Sequence, residues 1–478
     1  MTGRAPTATF VGLGMLAILL SGCTVGPNYR PPAGGPQSRW ISPLGDGAVD
    51  PAWWTSFHDP LLAELVAAAV AGNKDLAEAR ARLREARANR DAVRGRPAPQ
   101  IGTSAAATQN RLSENGQLPV GKVPGLGPEL AIYDAGFDAS WELDLWGGTR
   151  RAVESAEARA QAADEARRAV LLQVIAEVAR SYVDLRAAQS LRATAGAESQ
   201  AQEKIARLIG DRARVGLASR FDLVRAQGQA ESSAATIPAL DGDVAAAAFR
   251  IALLLGQPPE ALYGRLRAPG PLPMIASPVG IGLRSELLFR RPDIRQAERE
   301  LAAASAEIGV ATSELFPRLT LLGAIGLQAR APGDLLSGDS LRFQFGPALR
   351  WPIFSGGRIR AQIRAADARA DAALIRYDRA VLNALSDSET AINRYAAAGN
   401  VRDARDDARK SGVEAVAMAR QRYAAGEDDL IVLLQAQAMF DAVDRLAIQA
   451  QAAELQQLIS LYKALGGGWQ AVEAPGPS

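Results

Sequence analysis

The sequence predicts a mixed α/β membrane protein, predominantly α, whose short strands close a barrel only when several chains combine and whose long helices stand as staves beside it. Three observations predict it. The chain is written twice, with a constant shift of 210 residues over its best-matched stretch. Each half holds a stretch of about ten residues that alternates apolar and polar side chains. Each half also holds a long proline-free stretch whose apolar positions step by three and four.

Composition narrows the function classes. The 478 residues carry 54 Lys and Arg against 52 Asp and Glu, a net charge of +2 that gives no footprint for nucleic acid. Hydrophobic residues make up 48%, enough to bury a core. One cysteine, Cys23, and one histidine, His58, exclude a disulfide framework, a multi-cysteine or His-rich metal centre and a nucleophile–base–orienter triad. No enzyme, cofactor or metal site is expected, and His58 beside Asp59 reads as a packing or surface residue.

Residues 1–22 read as an export signal: Arg4 is followed by the apolar stretch 11–20, too short for a bilayer span of roughly 20 residues. The closing Leu20-Ser21-Gly22-Cys23 looks like a bacterial lipoprotein box, which makes Cys23 the lipidated first residue of the mature chain. Thr24, where other lipoproteins carry Asp, resembles sorting to the outer membrane. Residues 23–59 then form an acylated, extended leader rich in proline (Pro27, Pro31, Pro32, Pro36, Pro43).

The first repeat is placed at 60–256, the second at 292–466, with a linker at 257–291 and a C-terminal tail at 467–478 that looks disordered after Trp469. Residues 158–256 align with 368–466 without a gap: Gly216 falls on Gly426, Ala226-Gln227 on Ala436-Gln437, Leu255-Gly256 on Leu465-Gly466. Residues 75–101 align with 293–319 at a shift of 218, and the eight extra residues belong to the Gly/Pro-rich loop at 112–133. Each half reads helix, strand, loop, strand, long helix, turn, helix. The strand pairs are 99–111/134–146 and 317–330/341–352. The long helices are 148–215 and 357–424, followed by shorter ones at 217–255 and 428–465. In the first long helix Leu171, Ile175, Val178, Tyr182 and Leu185 form a coiled-coil seam, and 65 helical residues span about 98 Å.

The strands favour a membrane. Phe137, Trp141 and Leu143 alternate with Asp138, Glu142 and Asp144, and Phe343, Phe345 and Leu349 with Arg342, Gln344 and Arg350. That is the apolar-out, polar-in pattern of a tilted spanning strand. Four strands cannot close a barrel, open edges are not tolerated in lipid, and an eight-stranded barrel is filled by side chains. A pore therefore needs at least three copies, giving twelve strands and twelve staves.

Several motifs carry a resemblance. Cys23-Thr-Val-Gly-Pro-Asn-Tyr29, Trp53-Trp54-Thr-Ser-Phe57-His-Asp59-Pro60, Arg290-Arg291-Pro292-Asp293, Leu315-Phe316-Pro317, Tyr423-Ala-Ala-Gly426 and Tyr462-Lys-Ala-Leu-Gly-Gly-Gly-Trp469 resemble outer-membrane efflux factors of the TolC/OprM type, in their lipoprotein (NodT-like) branch. The resemblance implies a trimeric twelve-stranded outer-membrane β-barrel continuous with a twelve-helix periplasmic α-barrel. It implies the passive exit duct of a tripartite pump, docked to a periplasmic membrane-fusion adaptor and an inner-membrane RND transporter. Gly216 and Gly426 would mark the periplasmic tips where the adaptor docks, and Asp222, Tyr423, Glu427, Asp428, Asp429 and Gln435 are the gate candidates. Arg420 or Arg422 of a neighbouring stave is expected to hold the acids. Family members often carry Asp before the Ala-Gln of the last helix, where this chain has Gln435. A duct for protein secretion or metal efflux is the alternative, and a pore-less coiled-coil scaffold lipoprotein is the reading from a different class.

Overall fold

A computed structural model describes residues 24–32, 39–41, 47–113, 127–274 and 279–473. The signal segment 1–22 and Cys23 lie outside the described residues. The chain forms two compact units, one of 1–32, 84–162 and 298–376, the other of 33–83, 163–297 and 377–478.

In order, the helices and strands are α1 (Pro60–Gly72), α2 (Lys74–Arg94), β1 (Gln100–Arg111), β2 (Glu129–Leu143), α3 (Gly148–Arg214), α4 (Arg220–Ala234), α5 (Ile237–Leu254), α6 (Glu260–Leu266), α7 (Leu287–Arg290), α8 (Pro292–Ser313), β3 (Arg318–Ala329), β4 (Leu341–Arg350), α9 (Arg358–Ala425), α10 (Leu430–Ala464) and α11 (Trp469–Glu473). No described helix is long and apolar enough to cross a membrane.

The first unit is built on an antiparallel sheet in the order β1-β2-β3-β4. Its register sorts the faces. Thr103 pairs with Phe137, Phe137 with Ile325, and Ile325 with Phe343, so directly opposed residues put Phe137, Ile325 and Phe343 on one face. Asp138, Ala324 and Gln344 lie in one row of the other face. There Arg342 donates to Asp134 through Nε (2.8 Å) and Nη2 (2.6 Å), and Gln328 adds a third bond to the same carboxylate. On the first face Phe137, Phe343 and Phe345 are 61%, 68% and 81% exposed, so among the described residues nothing buries them. Gly136 faces Gly326 across β2 and β3, where a Cβ on either would stand within 3 Å of the other's Cα.

The second unit holds the apolar core. Leu171, Ile175, Val178, Tyr182 and Leu185 of α3 are all buried, as their spacing predicts. They share one cluster with Leu62 and Leu65 of α1, Ile251 of α5 and Leu458, Ile459 and Tyr462 of α10. Trp53, in a 3-10 turn before α1, stacks on Tyr462 with centroids 5.2 Å apart and donates to the Gly467 carbonyl at 3.2 Å.

Five expectations change. The helix drawn before the first strand pair breaks at Asn73, whose side chain accepts from Leu76 N–H (2.9 Å) and donates to the Leu254 carbonyl (2.8 Å). The helix drawn at 217–255 breaks between Ala234 and Ile237, because Pro238 has no N–H to continue it. Strand β2 begins at Glu129, five residues before the predicted 134, since Glu129 to Tyr133 pair with β1 as soon as Pro128 is passed. The linker 257–291 carries α6 and α7. Within the tail read as disordered, 469–473 is helical: Trp469 lies against the Arg168 and Arg295 guanidinia, and Glu473 accepts from Arg167 and Arg168.

Trp53→Ala removes the largest fully buried side chain together with its stack on Tyr462. The expected cost is about 3–5 kcal/mol, seen as a lower apparent Tm in a thermal scan, with helical content at 20 °C (about room temperature) retained.

Candidate functional site

The sites legible in the sequence gather where long helices turn into short ones. At the end of α3, Gly216 takes φ +77°. Leu217 N–H reaches back to the Arg212 carbonyl (2.8 Å) and Gly216 N–H to the Ala213 carbonyl (3.1 Å), a Schellman closure that needs a left-handed residue. Gly426 repeats it at the end of α9, again at φ +77°, with Glu427 N–H on Arg422 O (3.0 Å) and Gly426 N–H on Tyr423 O (3.1 Å). A Cβ at either glycine would meet nothing within 4 Å, so backbone conformation alone selects glycine.

The acids differ in what they do. Asp222 closes a capping box with Ser219, accepting from its N–H (3.2 Å) and hydroxyl (2.6 Å) while its own N–H donates back (3.1 Å). It serves the start of α4. Asp429 occupies the N-cap of α10 without a side-chain bond. Asp428 accepts from Arg422 at 2.9 Å, and Glu427 stands 3.8 Å from the same guanidinium. Arg422 belongs to this chain's own α9, so Asp428 and Glu427 meet a cation from within their hairpin; Gln435 is exposed.

Tyr423 does more than its motif suggested. Arg212 of α3 donates to its hydroxyl at 2.6 Å and lies 5.0 Å from its ring centroid, tying the ends of the two long helices together. Arg212 is the repeat partner of Arg422, which the shift of 210 could have pointed out. Above this tie runs a groove of about 670 Å³, lined by Lys204, Leu208, Arg420, Leu433 and Gln437. The first tip also exposes Val215, Leu217, Phe221 and Val224. These apolar residues are spread over a turn and form no local motif, unlike the run of acids at the second tip.

In the first unit the leader is held in place. Val25 N–H donates to the Trp146 carbonyl (3.0 Å), and Arg151 donates to Val25 O (3.1 Å) and to Asn28 Oδ1 (2.7 Å). Tyr29 donates to Glu298 of α8. The peptide that follows Cys23 is therefore packed just beyond the end of β2.

An uncovered apolar strand face, a polar opposite face and two long helical hairpins define a channel-forming outer-membrane subunit. The chain belongs to the family described as outer membrane efflux protein, which matches residues 65–257 and 283–467. It is 31% identical to the nodulation protein T of Rhizobium leguminosarum bv. trifolii, over 96% of this chain and 97% of that one. It is 32% identical to the pyoverdine export outer membrane protein OpmQ of Pseudomonas aeruginosa, over 88% of each. Among solved structures, the outer-membrane channel OprN superposes with a TM-score of 0.84 at 35% identity, covering 94% of this chain and all of that one. The protein is an outer-membrane efflux channel, in a family made of channels and not enzymes.

Tyr423→Phe keeps the ring and removes the acceptor, so hydrogen exchange at the ends of α3 and α9 should rise severalfold, matching about 1 kcal/mol for an exposed hydrogen bond. Arg212→Met, which also removes the cation–π contact, should raise it further. Peptides covering 205–216 and 416–426 report the change.

Proposed function

We propose that three copies of this chain close one twelve-stranded barrel and one twelve-helix tunnel, and that the assembly passively conducts drugs or other small solutes delivered by an inner-membrane RND transporter through a periplasmic adaptor. The observation that carries this reading is the sheet: its apolar face is uncovered and its edges β1 and β4 are unpaired within the chain. Lipid covers such a face, and only neighbouring strands can satisfy such edges. Two internal repeats supply the strands and staves in equal pairs.

The tips at Gly216 and Gly426 dock the adaptor, the first through its exposed apolar side chains. Asp428 and Asp429, repeated three times about the axis, line the narrow end and favour cations, with Asp222, Glu427, Tyr423 and Gln435 around them. Like charges 6 Å apart repel by roughly 0.7 kcal/mol in bulk water and by more in a confined pore. The Arg422 bond to Asp428 lowers that repulsion and steadies the closed end.

Native mass measurement of the detergent-purified protein should return a trimer, and planar bilayers should record a mostly shut, cation-preferring channel. Asp428→Asn with Asp429→Asn should reduce that preference. A stable monomer that does not conduct would overturn the duct.

Cys23 carries acyl chains, each buried CH₂ contributing about 0.8 kcal/mol to membrane attachment. Mass spectrometry of the mature protein should find acyl mass on Cys23, and Cys23→Ser should abolish it and slow membrane insertion. An unmodified thiol would remove the anchor from this account.

A further inference from the structure

Along α10, the side turned toward α3 and α9 changes character between its two ends. Near its C-terminus it buries Leu455, Leu458, Ile459 and Leu461; toward the tip it buries Gln437, Asp441 and Asp444, which are 7%, 3% and 6% exposed. Two arginines of α9, one heptad apart, meet acids of α10. Arg402 Nε stands 3.3 Å from Glu454 Oε2, and Arg409 Nε stands 2.7 Å from Asp444 Oδ1. Thr194 of α3 donates to the other oxygen of Asp444 at 3.0 Å.

Asp441 has no such partner. Past Arg409 the buried face of α9 continues as Gly412, Val416 and Ala419, none of them charged. A Cβ at Gly412 would already stand 3.0 Å from Val443 Cγ2 and 3.3 Å from Phe440 Cδ2, so no cation fits there. Asp441 Oδ1 accepts from Gln437 Nε2 at 2.8 Å, while its Oδ2 is buried with no hydrogen-bond partner. Gln202 of α3, 2% exposed, also keeps an unpartnered buried oxygen.

The charged groups around Asp441 come from all three helices. Asp444 on its own helix and Glu198 on α3 repel its charge. Arg445 on its own helix attracts it, but donates to Glu198 at 3.2 Å. Arg409 on α9 is engaged by Asp444. Burial is the largest influence, and with the neighbouring acids it pushes the Asp441 carboxyl up to about 6. The first repeat lacks the arrangement: the residues 210 earlier, Gln227 and Glu231, are exposed, and α4 buries Ala226, Ala230 and Ser233 instead.

We propose that Asp441 is a proton-operated latch that, when neutral, lets the tip half of α10 pack between α3 and α9 and, when ionised, loosens it. The latch rests on the reading of these tips as the channel's closing end. The direction follows from the raised carboxyl: the packed state holds its full stability below the unfolded value of 3.8 and loses it as pH rises toward about 6. Between pH 5 and pH 8 local opening should increase about tenfold, most of it below pH 6.5.

Hydrogen exchange on the acylated full-length protein in detergent, corrected for intrinsic rates, tests this in peptides covering 430–445. Wild-type protection should fall about tenfold from pH 5 to pH 8, and Asp441→Asn should hold the acid-side protection throughout. Glu198→Gln leaves residue 441 in place and should move the upper break of the curve to lower pH. Flat wild-type protection, an Asp441→Asn curve that follows wild type, or a Glu198→Gln curve without a shift overturns the latch. Bilayer recordings on the same samples keep the two readings apart. A protein that conducts but shows flat exchange overturns the latch alone; one with proton-linked exchange that never conducts overturns the duct and leaves the latch standing.

Discussion

A sheet in lipid cannot leave backbone N–H and C=O groups unpaired, and the described residues of this chain supply four strands with two open edges. Much of the molecule answers to that constraint. Among the described residues nothing packs on the apolar face of the sheet, so its aromatic residues stay exposed where a soluble protein would bury them. The opposite face carries Asp134, Arg342 and Gln328, which satisfy one another across three strands. The larger apolar cluster lies in the second unit, where α1, α3, α5 and α10 enclose Tyr182 and the stacked Trp53 and Tyr462.

What could be read from the sequence was whatever repeats at a fixed local period. The seam on α3 and the alternation on β2 and β4 depend on side chains three, four or two residues apart; α3 and β4 stand close to where the pattern puts them, and β2 starts five residues earlier. The breaks were hidden because their causes are distant. Asn73 ends one helix and starts the next by bonding to Leu254, 181 residues away. Trp469 is held by the Arg290 carbonyl and by guanidinia from α3 and α8, so the tail could not be told from a disordered one by composition. At the tips the glycines were legible because φ near +77° demands them, whereas the tie between Arg212 and Tyr423 joins two halves of the chain and has no local signature.

The repeats keep their backbone solutions and change their side chains. Gly216 and Gly426 close the long helices in the same way, and Gly256 and Gly466 close the short ones with φ of +71° and +73°. Between those fixed points the halves diverge. The first short helix is interrupted before Pro238; the second runs unbroken for 35 residues. The first tip presents Val215, Leu217 and Phe221, the second Glu427, Asp428 and Asp429. The turns lie at matching positions in the two halves, and the side chains around them differ: exposed apolar residues at the first, acids with their Arg422 counterion at the second.

The unbroken helix of the second hairpin also has unequal ends. Its C-terminal half is held by apolar burial, which is non-directional and gains stability with every methylene removed from water. Its tip half buries Leu433 and is otherwise held by Gln437, Asp441 and Asp444, groups whose net contribution is small and whose isolation is costly. A helix anchored this way opens from the polar end, because local stability follows buried apolar contact. The polar residues make the tip half the weaker part while the Trp53–Tyr462 end stays fixed. A single helix can then serve as a rigid stave near the core and a movable one at the tip.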